Sequence, residues 1–310
     1  MGQFQLERVN GIILGPREEN AWESRAAFNP GTVRGNEDIH MLYRAVEGDN
    51  YSTIGYARLN RHGEVLERHD EPVISRTLPQ ESRGCEDPRI VPFEDRYFVF
   101  YSGFDGEEVR IIMAETKDFR EYHKIGQVGP DTWDKDAMLF PGRVDGKVAF
   151  MHRIEPNIQI ALFDDLDHFL EPEPEYWERH LANLDDHTVL YGEQIWEAEK
   201  IGAGPPPFLT DAGWILIYHG VDKQLTYRAG AVLLDERNPL KVLARLPYPI
   251  LEPERDYEKI GDVNNVVFPQ GTAIFDDDLL VFYGGADKVV GLAVGKVSRL
   301  IDALWKHRVG

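Results

Sequence analysis

The residues best suited to chemistry in this chain lie in Gly84-Cys85-Glu86-Asp87-Pro88-Arg89-Ile90. Two adjacent carboxylates, a proline that stiffens the turn and an arginine stand directly ahead of a strand-like run, Ile90 to Tyr101. A carboxylate held at the mouth of a strand can trade protons with a bound molecule, so Asp87 is read as a catalytic acid. The plainer alternative is a turn in which Arg89 neutralises an acid. A second set of candidates is cationic. Arg44, Arg153 and His219 close three similar strands, His152 adjoins Arg153, Lys200 precedes a glycine-proline turn, and Lys135-Asp136 precedes Phe140-Pro141. The chain carries 34 Lys and Arg against 54 Asp and Glu, a net charge of −20. Cations gathered at one site against that bias would suit an anionic ligand such as phosphate or a carboxylate. Pairing of each cation with a nearby acid is the competing explanation.

The elements that must position these groups are strands. Helical periodicity is scarce, and what recurs is a strand, a turn and a second strand. The first strand of each pair ends in Leu42-Tyr43-Arg44-Ala45-Val46-Glu47, Phe100-Tyr101-Ser102-Gly103-Phe104-Asp105 or Phe150-Met151-His152-Arg153-Ile154-Glu155. Two more end in Ile217-Tyr218-His219-Gly220-Val221-Asp222 and Phe282-Tyr283-Gly284-Gly285-Ala286-Asp287. Each has an apolar pair, a small or polar position, and an acid three residues beyond it. β-rich partners follow at 53–59, 109–116, 158–165, 227–235 and 290–297. An opening strand that starts at a proline precedes each pair: Asn29-Pro30, Asp87-Pro88, Phe140-Pro141, Pro206-Pro207 and Phe268-Pro269. Polar turns such as Glu94-Asp95, Asp145-Gly146 and Asp276-Asp277-Asp278 separate them.

A period of about 50 to 65 residues with several strands per unit marks a propeller. The expectation is one all-β domain over 1–310, a five-bladed β-propeller with a short C-terminal helix around Ser298–Trp305. A generic β-sandwich is the competing architecture. The repeat places Asn29 and Asp87 around a central tunnel, together with Arg44, Ser102, His152, His219 and Gly284. A carboxyl there, with its pKa raised by the pocket, could protonate a glycosidic oxygen.

Composition bounds the partners. A charge of −20 argues against nucleic acid or an anionic membrane, since both demand a basic face. One cysteine, Cys85, excludes an internal disulfide and any multi-thiolate metal site. The ten histidines show no metal-ligand spacing, Gly202–Gly204 lacks the Gly-Lys-Ser/Thr ending of a phosphate loop, and neither a metal nor a cofactor is expected. The first residues do not read as a signal peptide and no apolar run approaches the roughly 18 residues of a membrane span, so the cytoplasm is the expected location. The acidic surface leaves room for a homo-oligomer. The long irregular stretch 164–199, with Tyr176-Trp177, is expected to form the acceptor side of a pocket. Trp133, Trp196, Trp214, Tyr227 and Tyr257 could stack on sugars or serve as core.

Taken together these residues resemble glycoside hydrolase family 130, the β-mannoside phosphorylases and related mannosidases. The resemblance runs through Phe28-Asn-Pro-Gly, Glu86-Asp-Pro-Arg, Lys135-Asp-Ala-Met-Leu-Phe-Pro141, His152-Arg153 and Lys200-Ile-Gly-Ala-Gly-Pro-Pro. It continues through Gly213–Gly220, Leu233–Pro239, Pro249–Pro253, Val266-Val-Phe-Pro-Gln-Gly and Tyr283-Gly-Gly-Ala-Asp287. It implies a five-bladed propeller, Asp87 as the acid, and a phosphate held by Arg153, Lys200 and His219, with Lys135 beside them. It maps sugar contacts onto Asn29, Arg44 and Asp287. Glu86, Arg89, Asp136, His152 and Tyr218 adjoin those positions in the same motifs and complete the expected substrate-binding set. An Asp at 136, where the family has a neutral amide, departs from the pattern.

The implied reaction is inverting phosphorolysis of a β-mannoside, with a lean to β-1,2 linkage, giving α-mannose 1-phosphate. An inverting hydrolase needs a second carboxylate to activate water. Phosphate is its own nucleophile and needs cations instead. The partners are thus an oligosaccharide and inorganic phosphate. The alternatives are an inverting β-mannosidase and a non-catalytic propeller with an exposed apolar face.

Overall fold

The chain, described here over residues 2–9 and 11–309 of a computed structural model, is built almost wholly of strands. After a two-residue strand, β1 (Glu7–Arg8), five antiparallel meanders follow one another. The first is β2 (Ala26–Arg34), β3 (Asp38–Val46), β4 (Ser52–Asn60) and β5 (Val65–Arg68). The second is β6 (Gly84–Phe93), β7 (Arg96–Phe104), β8 (Val109–Thr116) and β9 (His123–Val128). A single parallel pairing, Ser52 with Gly84, joins these two into one sheet. The third meander is β10 (Lys135–Leu139), β11 (Val148–Arg153), β12 (Ile158–Phe163) and β13 (Thr188–Leu190). The fourth opens with β14 (Lys200–Ala203) and β15 (Phe208–Thr210), both on β16 (Gly213–Val221), and continues to β17 (Tyr227–Leu234) and β18 (Val242–Arg245). The fifth is β19 (Val267–Phe275), β20 (Asp278–Gly285) and β21 (Val289–Lys296), and its last strand is β1 from the other end of the chain.

The hairpins follow the expected turns. Glu94 and Asp276 hold positive φ in two-residue loops closed by the Phe93–Arg96 and Phe275–Asp278 pairs. Asp277 is more than a solvated turn residue: it accepts from Ser298 N and Oγ and so caps α4 (Val297–Leu304). Leu300, Ala303 and Leu304 of that helix are buried against Phe4, Leu6 and Leu246, which seats the short C-terminal helix where the spacing predicts it.

Two expectations about the elements are corrected. The opening strands do not start at their prolines. β6 begins at Gly84, four residues ahead of Pro88, and β2 and β19 likewise run through Pro30 and Pro269. Pro30 and Pro88 fall inside bulges of their strands, where the missing N–H breaks no ladder pairing. The stretch 164–199, expected to wall the pocket, contributes no residue to the lining of the cavity described below. It folds into α1 (Leu166–Leu170), α2 (Pro174–Ala182) and β13, and Tyr176 and Trp177 pack on the core beside Phe163 and Phe150.

A tie between strands recurs in four of the five meanders. The hydroxyls of Tyr43, Tyr101, Tyr218 and Tyr283 each donate to a fully buried glutamate, Glu23, Glu81, Glu197 and Glu258, at 2.6–2.8 Å. Arg68, Lys124, Arg245 and Arg8 respectively neutralise those carboxylates. The third meander has Met151 at the tyrosine position and uses Asp134, His152 and His180 instead. No described helix is long and apolar enough to cross a membrane.

Candidate active site

Four opening strands slip by a bulge, and on three of them it lies between Phe28 and Gly31, Glu86 and Arg89, and Lys135 and Met138. The first of the two residues inside each of these three has positive φ: Asn29 at 46°, Asp87 at 54° and Asp136 at 54°. Asn and Asp tolerate the left-handed region better than other side-chain-bearing residues, and a bulge re-aims its side chain. The same local device therefore turns three short polar side chains off their sheets and into one cavity of about 230 Å³. Each conformation costs of order 1–3 kcal/mol, a strain characteristic of functional positions.

The donor half of this cavity holds Asp87, Asn29, Arg44 and Asp287. Asn29 Nδ2 donates to Asp87 Oδ1 at 2.9 Å, and Arg44 Nη1 lies 3.6 Å from the same oxygen. Arg44 is held by Glu86, 2.6 Å away, and by Ser52. Asp287, another positive-φ residue, is pushed up to about 7 by burial and by the charges of Asp87 and Glu86, against the pull of Arg44. It therefore carries a proton over much of the neutral range.

The cationic half holds Arg153, Lys200, His219 and Lys135. Asp136 stands at its base. Its Oδ1 accepts from Arg89 at 2.8 Å, and its Oδ2 lies 3.0 Å from Arg153 Nε and 3.7 Å from His219 Nε2. Burial works to raise the Asp136 pKa, but Arg153, Arg89, His219 and Lys135 together hold it well below the carboxylate range. Burial pushes His219 down to about 3, helped by the charges of Arg153, Arg89 and Lys200 and opposed by Asp136, so it is a neutral imidazole. Gly202 is required here, because a Cβ would collide with His219 and Asp136 Oδ2. Glu155 closes the set, 2.9 Å from Lys200 Nζ and 3.3 Å from Arg153 Nη1. Asn29 Oδ1 and His219 Nδ1 are buried without a hydrogen-bond partner among the described residues, while Arg153 Nε and Asp136 Oδ2 face each other out of alignment.

Asp87, Arg153, Lys200, His219, Lys135, Asn29, Arg44, Asp136 and Asp287 thus share one cavity. Four expected contacts do not reach it. Glu86 is buried behind Arg44 and holds that guanidinium. Arg89, 1% exposed, forms the floor: it donates to Ala203 O, Gly204 O and Asp136, and so ties the second meander to the third and fourth. His152 is fully buried between Asp134 and His180. Tyr218 is spent on Glu197. Neighbouring residues of a strand point to opposite faces, so Glu86, His152 and Tyr218 lie beside Asp87, Arg153 and His219 and not with them, while Arg89 is re-aimed by the bulge ahead of it.

Trp133, 46% exposed, and Tyr227 also line the cavity. Trp196 and Trp214 pack in the sheets, and Tyr257 bonds Tyr283. The fully buried Gln270 donates to both Asn29 O and Pro88 O, and so ties the fifth meander to the first and second. Gln270, Asp134 and Glu155 carry roles that no spacing in the chain announced. A larger cavity of about 530 Å³ lies elsewhere, beside Phe4, Phe275 and Leu292, away from the paired acids and cations just described.

A family model described as beta-1,4-mannooligosaccharide phosphorylase, glycoside hydrolase family 130, matches residues 6–306. A 1,2-beta-oligomannan phosphorylase of Thermoanaerobacter sp. (strain X514) is 40% identical over 304 residues, 94% of this chain and 97% of that one. A beta-1,2-mannobiose phosphorylase of the same organism is 38% identical, with the same coverage. Among solved structures, the beta-1,2-mannobiose phosphorylase of Listeria innocua in complex with beta-1,2-mannobiose superposes with a TM-score of 0.82. The two share 25% identity over 97% of this chain and 99% of that one.

Proposed function

The chain belongs to glycoside hydrolase family 130, and from that premise we propose that it cleaves β-1,2-linked manno-oligosaccharides with inorganic phosphate and releases α-mannose 1-phosphate. The relatives at 38–40% identity carry the linkage, in preference to the β-1,4 wording of the broader family description. The enzyme is a glycoside phosphorylase, and in this reading its five meanders stand as blades around Arg89 and Gln270.

The observation that carries the mechanism is the division of one cavity into an acid half and a cation half. The mannosyl ring lies over Asn29, Arg44 and Asp287 with its glycosidic oxygen towards Asp87. Asp87 delivers the proton to the leaving oxygen, directly or through a substrate hydroxyl. Phosphate, held by Arg153, Lys200, His219 and Lys135, attacks the anomeric carbon from the opposite side, so the configuration inverts. His219, neutral, contributes a hydrogen bond and the others contribute charge.

Hydrolysis would need a free base in the cation half. The carboxylates there are poor ones: Asp136 and Glu155 both have lowered pKa values and are bound to cations. The test is β-1,2-mannobiose breakdown with and without phosphate, following mannose 1-phosphate and mannose separately. Turnover that requires phosphate and yields equal mannose 1-phosphate and mannose is expected; two mannoses at a phosphate-independent rate would make the enzyme a mannosidase.

A further inference from the structure

The cation half of the pocket contains a carboxylate that the reaction leaves unused. Glu155 lies two residues beyond Arg153, and its Oε1 alone engages both Lys200 Nζ at 2.9 Å and Arg153 Nη1 at 3.3 Å. Those are two of the cations assigned to phosphate. Burial would raise the Glu155 pKa, but the Lys200 hydrogen bond and the charges of Arg153 and Lys200 outweigh it, so the group is an anion at neutral pH. The other acid in this half, Asp136, is 3% exposed and fastened by Arg89 and Arg153. The Glu155 side chain is 43% exposed, with an open path to solvent. One carboxylate is fixed; the other is free to leave.

We propose that Glu155 is a built-in competitor for the anion site, occupying Arg153 and Lys200 when phosphate is absent and swinging out when phosphate binds. This rests on the phosphorolytic reading above. The carboxylate offsets the repulsion among Arg153, Lys200 and Lys135 in the empty pocket. It also sets a threshold for entry. An incoming anion must outbid a tethered carboxylate, which a phosphate dianion does with more charge and more acceptor oxygens, and chloride or a monocarboxylate does not. Glu155 thus trades phosphate affinity for selectivity among anions, and its role is one of specificity and not of catalysis.

The experiment is steady-state phosphorolysis of β-1,2-mannobiose at varied phosphate with the wild type, Glu155→Gln and Glu155→Asp. Losing one half-exposed ion pair to each cation is expected to lower the phosphate KM about five-fold in E155Q. The mannobiose KM should move less, and chloride and acetate should become effective inhibitors. E155D, which draws the charge back by one methylene, should shift the phosphate KM the same way by less, and serves if E155Q does not fold. A phosphate KM that is unchanged or higher in the variants, with wild-type turnover still phosphate-dependent, overturns the competitor role. Wild-type turnover that needs no phosphate overturns the phosphorolytic reading itself.

Discussion

At the scale of single residues the pocket sorts its carboxyls by environment. Asp136 and Glu155 sit among cations and are held down, whereas Asp287, buried beside Asp87 and Glu86, is pushed up to about 7. Because its pKa in the unfolded chain is near the ordinary 3.8, the folded protein binds more protons at this site between pH 4 and 7. The stability that the protonated Asp287 contributes is therefore complete below pH 4 and is lost as pH rises through about 7. Asp287→Asn removes that dependence. The difference in thermal midpoint between D287N and wild type should widen in favour of D287N from pH 5 to pH 8. Parallel curves would mean that Asp287 does not hold its proton in the fold. The residue types were legible in the chain, down to Asp87, Arg153 and Lys200. Glu155 was not, since nothing in Arg-Ile-Glu-Pro distinguishes a gating carboxylate from a solvated one.

At the scale of elements, the left-handed bulge is the device that makes the site. It predicts how Asp87 can be replaced. Asn accepts positive φ as Asp does and can still receive the Asn29 Nδ2 hydrogen bond, so Asp87→Asn should fold normally but lose the proton. The expected loss in kcat/KM is about 10² to 10⁴-fold with an unchanged far-ultraviolet circular dichroism spectrum and thermal midpoint. Substantial activity in D87N would take Asp87 out of the proton transfer. The strand pattern was readable from the apolar pairs and polar turns, and the five partner strands fall where alternation puts them. The bulges were not readable, because a two-for-one slip depends on the neighbouring strand's register, which local sequence does not contain. That is also why Glu86, Arg89, His152 and Tyr218 looked like site residues: a motif shows order along the chain, whereas strand alternation, and for Glu86 and Arg89 the bulge between them, decides which face each takes.

At the scale of the whole molecule, strands from near the two ends of the chain meet in one sheet. β1 pairs with β21, and Arg8 donates to the buried Glu258 at 2.7 Å, which also accepts from Tyr283. Arg8→Ala leaves that carboxylate without its cation, at a cost of about 3–5 kcal/mol. A lower urea midpoint is expected, and a loss of stability below about 0.5 kcal/mol would show that the Arg8–Glu258 pair does not hold the N-terminal strand in place. The sequence by itself determined the all-β class, the five-fold strand repeat and the residue types that gather in the cavity, because each is encoded locally in alternation, turn chemistry and residue type. Only the tertiary structure decided which of the motif residues face the cavity, that Arg89 and Gln270 fill its floor, and that Glu155 lies on two cations. Those outcomes depend on contacts between strands from different meanders, over a hundred residues apart for Arg89 and Gly204, and no local pattern carries them.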